Sequence, residues 1–160
     1  MKNIATFAAG CFWGVESIIK KVPGVLETKV GYTGGLLKEP TYELVKKGDT
    51  GHAEAVRIVF DPEKISYEEL LIYFFRLHDP TTLNRQQGDI GSQYRSAIFY
   101  HDEAQKESAI RVIAEVERSK FWKDKIITSL EPAGVFYDAE VYHQDYLAKN
   151  PGGYNCHYLR

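Results

Sequence analysis

Hydrophobic and polar positions follow two alternating periods along the chain, and the changes of period mark its elements. Ile4 to Ala8 reads as a short first strand. From about Cys11, the residues Val15, Ile18, Ile19 and Val22 recur at helical spacing, and Pro23-Gly24 stops that helix. Lys20 and Lys21 suit its negative carboxyl end. Val25 to Tyr32 is predicted as a second strand closed by Gly34-Gly35, and His52 to Phe60 as a third. Ser66-Tyr67-Glu68-Glu69 has the form of a capping box, so a second helix is expected to run to about Leu77. Tyr94 to Tyr100 is a fourth strand. Asp102 caps a third helix that carries Ala109, Val112, Ile113 and Val116 on one face. Ile126 to Leu130 is a fifth strand, and the tail from Val141 begins helical and turns irregular at Asn150-Pro151-Gly152-Gly153.

The order is β-α-β-β-α-β, followed by a helix and a strand. Its first six elements have the ferredoxin-like split βαβ arrangement. The expected class is therefore α+β, a two-layer sandwich of helices on a mixed sheet, with an extra helix, an extra strand and an irregular C-terminal tail. A chain of 160 residues is enough for one such domain, here taken as 1–160 with residues 140–160 as the tail. The connections between Gly34 and Gly51 and between Asp79 and Gln93 lack strong periodicity, and long ordered loops are often functional.

Composition narrows the function. With 44% hydrophobic and 26% charged residues, the chain has the balance of a soluble globular protein. A formal charge of −2 gives no basic footprint for nucleic acid or an anionic membrane. The longest apolar run, Leu70 to Phe75, is far short of the ~20 residues of a spanning helix. Ile4 to Ala9 is shorter than the about 7–15 residues of a signal-peptide core, so a cytoplasmic protein is expected. In a reducing compartment, two cysteines point either to inert thiols or to redox chemistry.

Cys11 is the most informative position. It lies where a strand turns into a helix, in Gly10-Cys11-Phe12-Trp13-Gly14. Unpaired N–H groups and the positive end of a helix dipole favour a thiolate there, and the flanking glycines allow a tight turn and close approach by a substrate. The alternative is a buried structural cysteine. Cys156 follows Pro151-Gly152-Gly153, on an arm that could reach Cys11; such a thiol can condense with a sulfenic acid. Glu54 shares a strand face with Val56, Ile58 and Phe60, where burial raises a carboxyl pKa and makes it a proton donor; otherwise it reaches solvent at the strand end. Asp89, between glycines, reads equally as a turn residue, and Tyr42 as a half-buried packing residue. His52-Ala53-Glu54 lacks the Pro-Cys-x-x-Cys partner of a zinc deaminase. No metal-ligand spacing and no phosphate-binding glycine loop occur. A cysteine hydrolase or acyl transferase remains open if His52, His101 or His143 stands beside Cys11.

The pentapeptide Gly10-Cys11-Phe12-Trp13-Gly14 resembles the signature of the peptide methionine sulfoxide reductase A family. Further blocks resemble it in order: Val30 to Gly35, Pro40-Thr41-Tyr42, Thr50 to Val56, Gln87 to Ser96, and His143 to Leu147. The resemblance implies that Cys11 attacks the sulfoxide sulfur of a methionine-(S)-sulfoxide in a protein or peptide. It implies that Phe12 and Trp13 hold the substrate methyl group, that Glu54 protonates the oxygen, and that Tyr42 and Tyr94 hydrogen-bond it. Asp89 would join through the polar network, and Cys156 would resolve the Cys11 sulfenic acid as a disulfide that thioredoxin reduces. No metal, flavin or nicotinamide is implied, only an external dithiol. Many members carry a further recycling cysteine; with two thiols here, a two-cysteine route is expected.

Overall fold

A computed structural model describes residues 3–160. The chain runs β1 (Asn3–Ala9), α1 (Phe12–Ile19), β2 (Val25–Thr33), α2 (Tyr42–Val45), β3 (Ala53–Phe60), α3 (Tyr67–Leu77), β4 (Arg85–Gln86), β5 (Asp89–Ile90), β6 (Ser96–Tyr100), α4 (Glu103–Ser119), β7 (Ser129–Pro132), β8 (Phe136–Asp138) and α5 (Tyr146–Lys149), with 3-10 turns at Ser92–Tyr94 and Val141–His143. The main sheet has the order β7-β6-β1-β3-β2-β8. Its middle four strands are antiparallel, with β3 inserted between β1 and β2, which is the split βαβ core. Strand β7 adds in parallel to β6 after the α4 crossover, and β8 pairs antiparallel with β2, so the sheet is mixed.

Local chemistry sets these boundaries. Ser66 and Glu69 form the reciprocal capping box that starts α3, and the Asp102 side chain accepts from the Gln105 N–H to start α4. Phe7 on β1 packs against Phe74 of α3, and Val15 and Ile19 turn inward from α1; all four are 2% exposed or less. Each such side chain contributes about 1.5–3 kcal/mol by leaving water.

Several expectations are displaced. Tyr94 ends a 3-10 turn rather than opening a strand, because Ser92–Tyr94 turn the chain and pairing with β1 begins only at Ser96. There Arg95 forks onto Glu131 of β7 at 3.1 and 3.2 Å. The fifth strand begins at Ser129, where the pairing with Ala97 starts, not at Ile126. The two aperiodic connections hold the short α2 and the β4–β5 hairpin, and β8 lay unpredicted, since elements of two to four residues are too short to show a period. Gln144 continues the work of β8 along β2: its amide accepts from the Val30 N–H and donates to the Val30 and Ala139 carbonyls.

Candidate active site

Cys11 is the N-cap of α1, one residue after Gly10 turns the chain at φ 94°. The register Phe7↔Val56, carried two residues further, sets Glu54 opposite Ala9 and therefore beside the start of α1. The Phe12 N–H, an unpaired donor of the first helical turn, donates to Glu54 Oε1 at 3.2 Å. Glu54 is 2% exposed, so it does not reach solvent. Burial pushes its carboxyl up to about 8; the Phe12 N–H opposes this, and the charge of Asp89 adds to it. The neutral acid expected from strand parity is thus in place at neutral pH.

The thiol departs from expectation. Cys11 is 9% exposed, and burial, then the nearby Glu54 carboxylate, raise its pKa far above the usual thiol range. The Trp13 N–H of the helix start pulls in the other direction and is outweighed. The resting site therefore holds a protonated thiol, because a helix terminus lowers a thiol pKa effectively only where the sulfur is not also desolvated.

Tyr42 and Tyr94 are both half-buried and lie within electrostatic reach of Glu54 and Cys11. Burial and then the Glu54 charge raise both phenols, Tyr42 to about 12, so each keeps its proton as a donor. Two side chains of the tail meet Asp89: the Tyr154 OH donates to Asp89 Oδ2 at 3.2 Å, and Cys156 Sγ points to the same oxygen at 3.8 Å. Asp89 is therefore not merely a turn residue. Cys11 and Cys156 are both free thiols.

Phe12 is fully buried against Tyr32 and His143, whereas Trp13 is half-exposed and stacks on Tyr146 with ring centroids 3.8 Å apart. The Trp13 indole N–H donates to His143 Nδ1 at 2.9 Å, which places the remaining ring proton on Nε2. That Nε2 is buried and has no partner among the described residues. Tyr42 packs on the same ring at 4.5 Å. Glu140 completes this wall, accepting from the Tyr32 hydroxyl at 2.8 Å and from the Tyr42 N–H at 2.9 Å. Burial pushes the Glu140 carboxyl up, but these bonds prevail and hold it below its ordinary value.

Sequence reasoning assigned no role to Glu140 or Glu16, and considered His143 only as the base of a cysteine hydrolase. His143 opens the His143 to Leu147 segment, yet nothing in its spacing tied it to Trp13. Glu16 is 2% exposed on the inner face of α1, between Val15 and Ile19 in pattern, and that misplaced carboxyl was its available signal. It accepts from the Thr28 hydroxyl and the Asp145 N–H, both at 2.8 Å, and so ties the 143–147 segment to α1.

The two glycines flanking Cys11 and Phe12-Trp13 also do something else than expected. A methyl group on Gly10 would strike the Gln86 side chain, and one on Gly14 would strike Asn155 and His157. The close approach they permit is by the chain's own loop and tail. Of the histidines considered as a hydrolase base, His52 bonds Gly35 and Leu37, His101 bonds Thr6, and His143 bonds Trp13. None of them hydrogen-bonds the Cys11 thiol among the described residues. No group of three His, Cys, Asp or Glu side chains there could hold a metal ion. Among the described residues, no helix is long and apolar enough to cross a membrane.

A buried cysteine at a helix start, a neutral carboxyl beside it and an aromatic wall bring a thiol, a proton and apolar surface together at one place, which is what a thiol-dependent reductase requires. The family model "Peptide methionine sulfoxide reductase" matches residues 3–160, and the chain belongs to that family. The chain is 55% identical over 156 residues to the peptide methionine sulfoxide reductase MsrA of Methanothermobacter thermautotrophicus, covering 98% of this chain and 92% of that one. It is similar to the crystal structure of Mxr1 from Saccharomyces cerevisiae in reduced form, with a TM-score of 0.94, 43% identity, and 99% and 92% of the two chains covered. It is also similar to Mxr1 in complex with Trx2, with a TM-score of 0.67, 30% identity, and 99% and 90% covered.

Proposed function

We propose that Cys11 is the nucleophile and Glu54 the acid in the reduction of methionine-(S)-sulfoxide in proteins and peptides. The observation that carries this is the Glu54 carboxyl, buried and neutral, bonded to the residue that follows the cysteine. A sulfoxide oxygen leaves poorly unless it is protonated. Cys11 Sγ bonds to the substrate sulfur as Glu54 protonates the oxygen, and the thiol proton passes to the Glu54 carboxylate; the hydroxyl then moves to Cys11 Sγ as the substrate S–O bond and the S–S bond break. Methionine and a Cys11 sulfenic acid result, with that oxygen as the sulfenic hydroxyl. Tyr42 and Tyr94 hydrogen-bond the oxygen, and Trp13 with the buried Phe12 behind it receives the methyl group. The unpartnered His143 Nε2–H supplies one further donor to a bound substrate.

Cys156 then attacks the Cys11 sulfenic acid, giving a disulfide and water. Asp89 receives the Cys156 thiol as a hydrogen-bond donor and links the two steps. A thioredoxin-type dithiol reduces the disulfide by exchange; the complex of Mxr1 with Trx2 supports this reading. Mass spectrometry after one turnover without reductant tests it. The expected product has lost two hydrogens and yields a peptide linking positions 11 and 156; a sulfenic acid that persists on Cys11 with Cys156 still free would refute the resolving role.

A further inference from the structure

We propose that His157 is the positioning residue of the resolving step: it hooks the tail onto the end of β1 and holds the Cys156 thiol beside the Cys11 site. The inference rests on the Cys11–Cys156 pairing proposed above. After Gly152-Gly153 the tail has no helix or strand of its own. Tyr154, Asn155 and Cys156 are exposed or half-exposed, yet His157 is only 5% exposed. Its Nε2 lies 2.6 Å from the carbonyl of Ala9, two residues before Cys11. A carbonyl only accepts, so Nε2 carries the ring proton and donates it. Nδ1 is then an unprotonated acceptor, and it faces Cys156 Sγ at 3.6 Å. One imidazole thus touches both the strand that leads to the nucleophile and the thiol that must reach it.

The rest of the motif is shaped around this hook. The missing side chain of Gly14 is the space that His157 and Asn155 occupy, and the Asn155 side chain accepts from the His157 N–H at 2.9 Å. On the far side, the Gln87 amide donates to the Cys156 carbonyl at 3.1 Å. These contacts restrict the search of a thiol that lies on an otherwise irregular segment, which raises its effective concentration at Cys11. The chemistry they serve is balanced by the two sulfurs alone: an S–S bond forms, the Cys11 S–O bond breaks, and the hydroxyl leaves with the Cys156 proton as water.

The test follows one turnover of the full chain by rapid quench, reading methionine release and disulfide formation in the same samples. In His157→Ala, methionine release should keep its wild-type rate while disulfide formation slows roughly two- to ten-fold, about what one net hydrogen bond is worth. His157→Gln places an amide N–H where Nε2 lies and should restore the rate. His157→Asn reaches the thiol but not Ala9, and should not. Gly14→Ala displaces the hook without altering the histidine and should slow the disulfide in the same way. Equal disulfide rates in wild type and His157→Ala, rescue by Asn instead of Gln, or a methionine burst lost together with the disulfide would each overturn the hook. A wild-type chain that forms no 11–156 disulfide would instead overturn the pairing beneath it.

Discussion

Cys11 and Glu54 sit where β1, β3 and α1 meet, and their immediate neighbours Ala9, Phe12 and Ala55 are 1% exposed or less. Cys156 sits on a segment without secondary structure, held by Tyr154 on Asp89, Gln87 on a carbonyl and His157 on Ala9. The first pair is fixed by sheet register and core packing; the third residue is fixed by side-chain contacts that can be released one at a time. The two steps of the reaction ask for this difference. Proton delivery to a sulfoxide needs a thiol and an acid preset to within a fraction of an ångström. A resolving thiol must instead stay near while substrate is bound, then move in once methionine has left.

The sharpest way to break this contrast is Cys11→Ser, which should abolish methionine release entirely, in the first turnover as well as at steady state; any residual burst removes Cys11 from its role. Next in size, Cys156→Ser should release about one methionine per protein and then stall, because the rigid half is intact and only the tail chemistry is missing. A normal steady state with dithiol protein reductant would show that the tail thiol is dispensable. Gln144→Leu acts on the fold that supports the rigid half. Loss of its three bonds to Val30 and Ala139 should cost about 3 kcal/mol in urea unfolding, and no loss would mean that β2 is closed by other means.

The remaining effect is on stability against pH. The folded Glu54 carboxyl, at about 8, lies above its ordinary value of 4.5, so the native state binds this proton more tightly than the unfolded chain does. Burial of Glu54 therefore costs nothing below about pH 4.5 and progressively more as pH rises towards 8. Glu54→Gln keeps an acceptor for the Phe12 N–H and never ionises. Its melting temperature should exceed that of wild type by about ten degrees at pH 9, and the gain should vanish near pH 4.5. A constant difference across that range would contradict the assignment.

The sequence was most legible where period and capping are strong. The β-α-β-β-α-β order, the Ser66 capping box and the Asp102 cap all appear at the expected residues, and strand parity placed Glu54 on the buried face. It was least legible where contacts alone decide. The hairpin that presents Asp89, the short strand β8 and the Gln144 bridge have no period to read. The Cys11 thiol shows a second limit: its place at a helix start is visible in sequence, but the burial that raises its pKa is not. The roles of Gly10 and Gly14 likewise depend on Gln86, Asn155 and His157, which arrive from 76 to 147 positions away and leave no local mark.

The most direct test of the thiol and its neutral acid is single-turnover methionine release as a function of pH, run in parallel on wild type and Glu54→Gln. The wild-type rate should fall as pH rises through about 8, where Glu54 loses its proton. The Gln variant should be slower by about 10²–10⁴ at neutral pH and show no such fall. A Gln variant as fast as wild type would contradict the account.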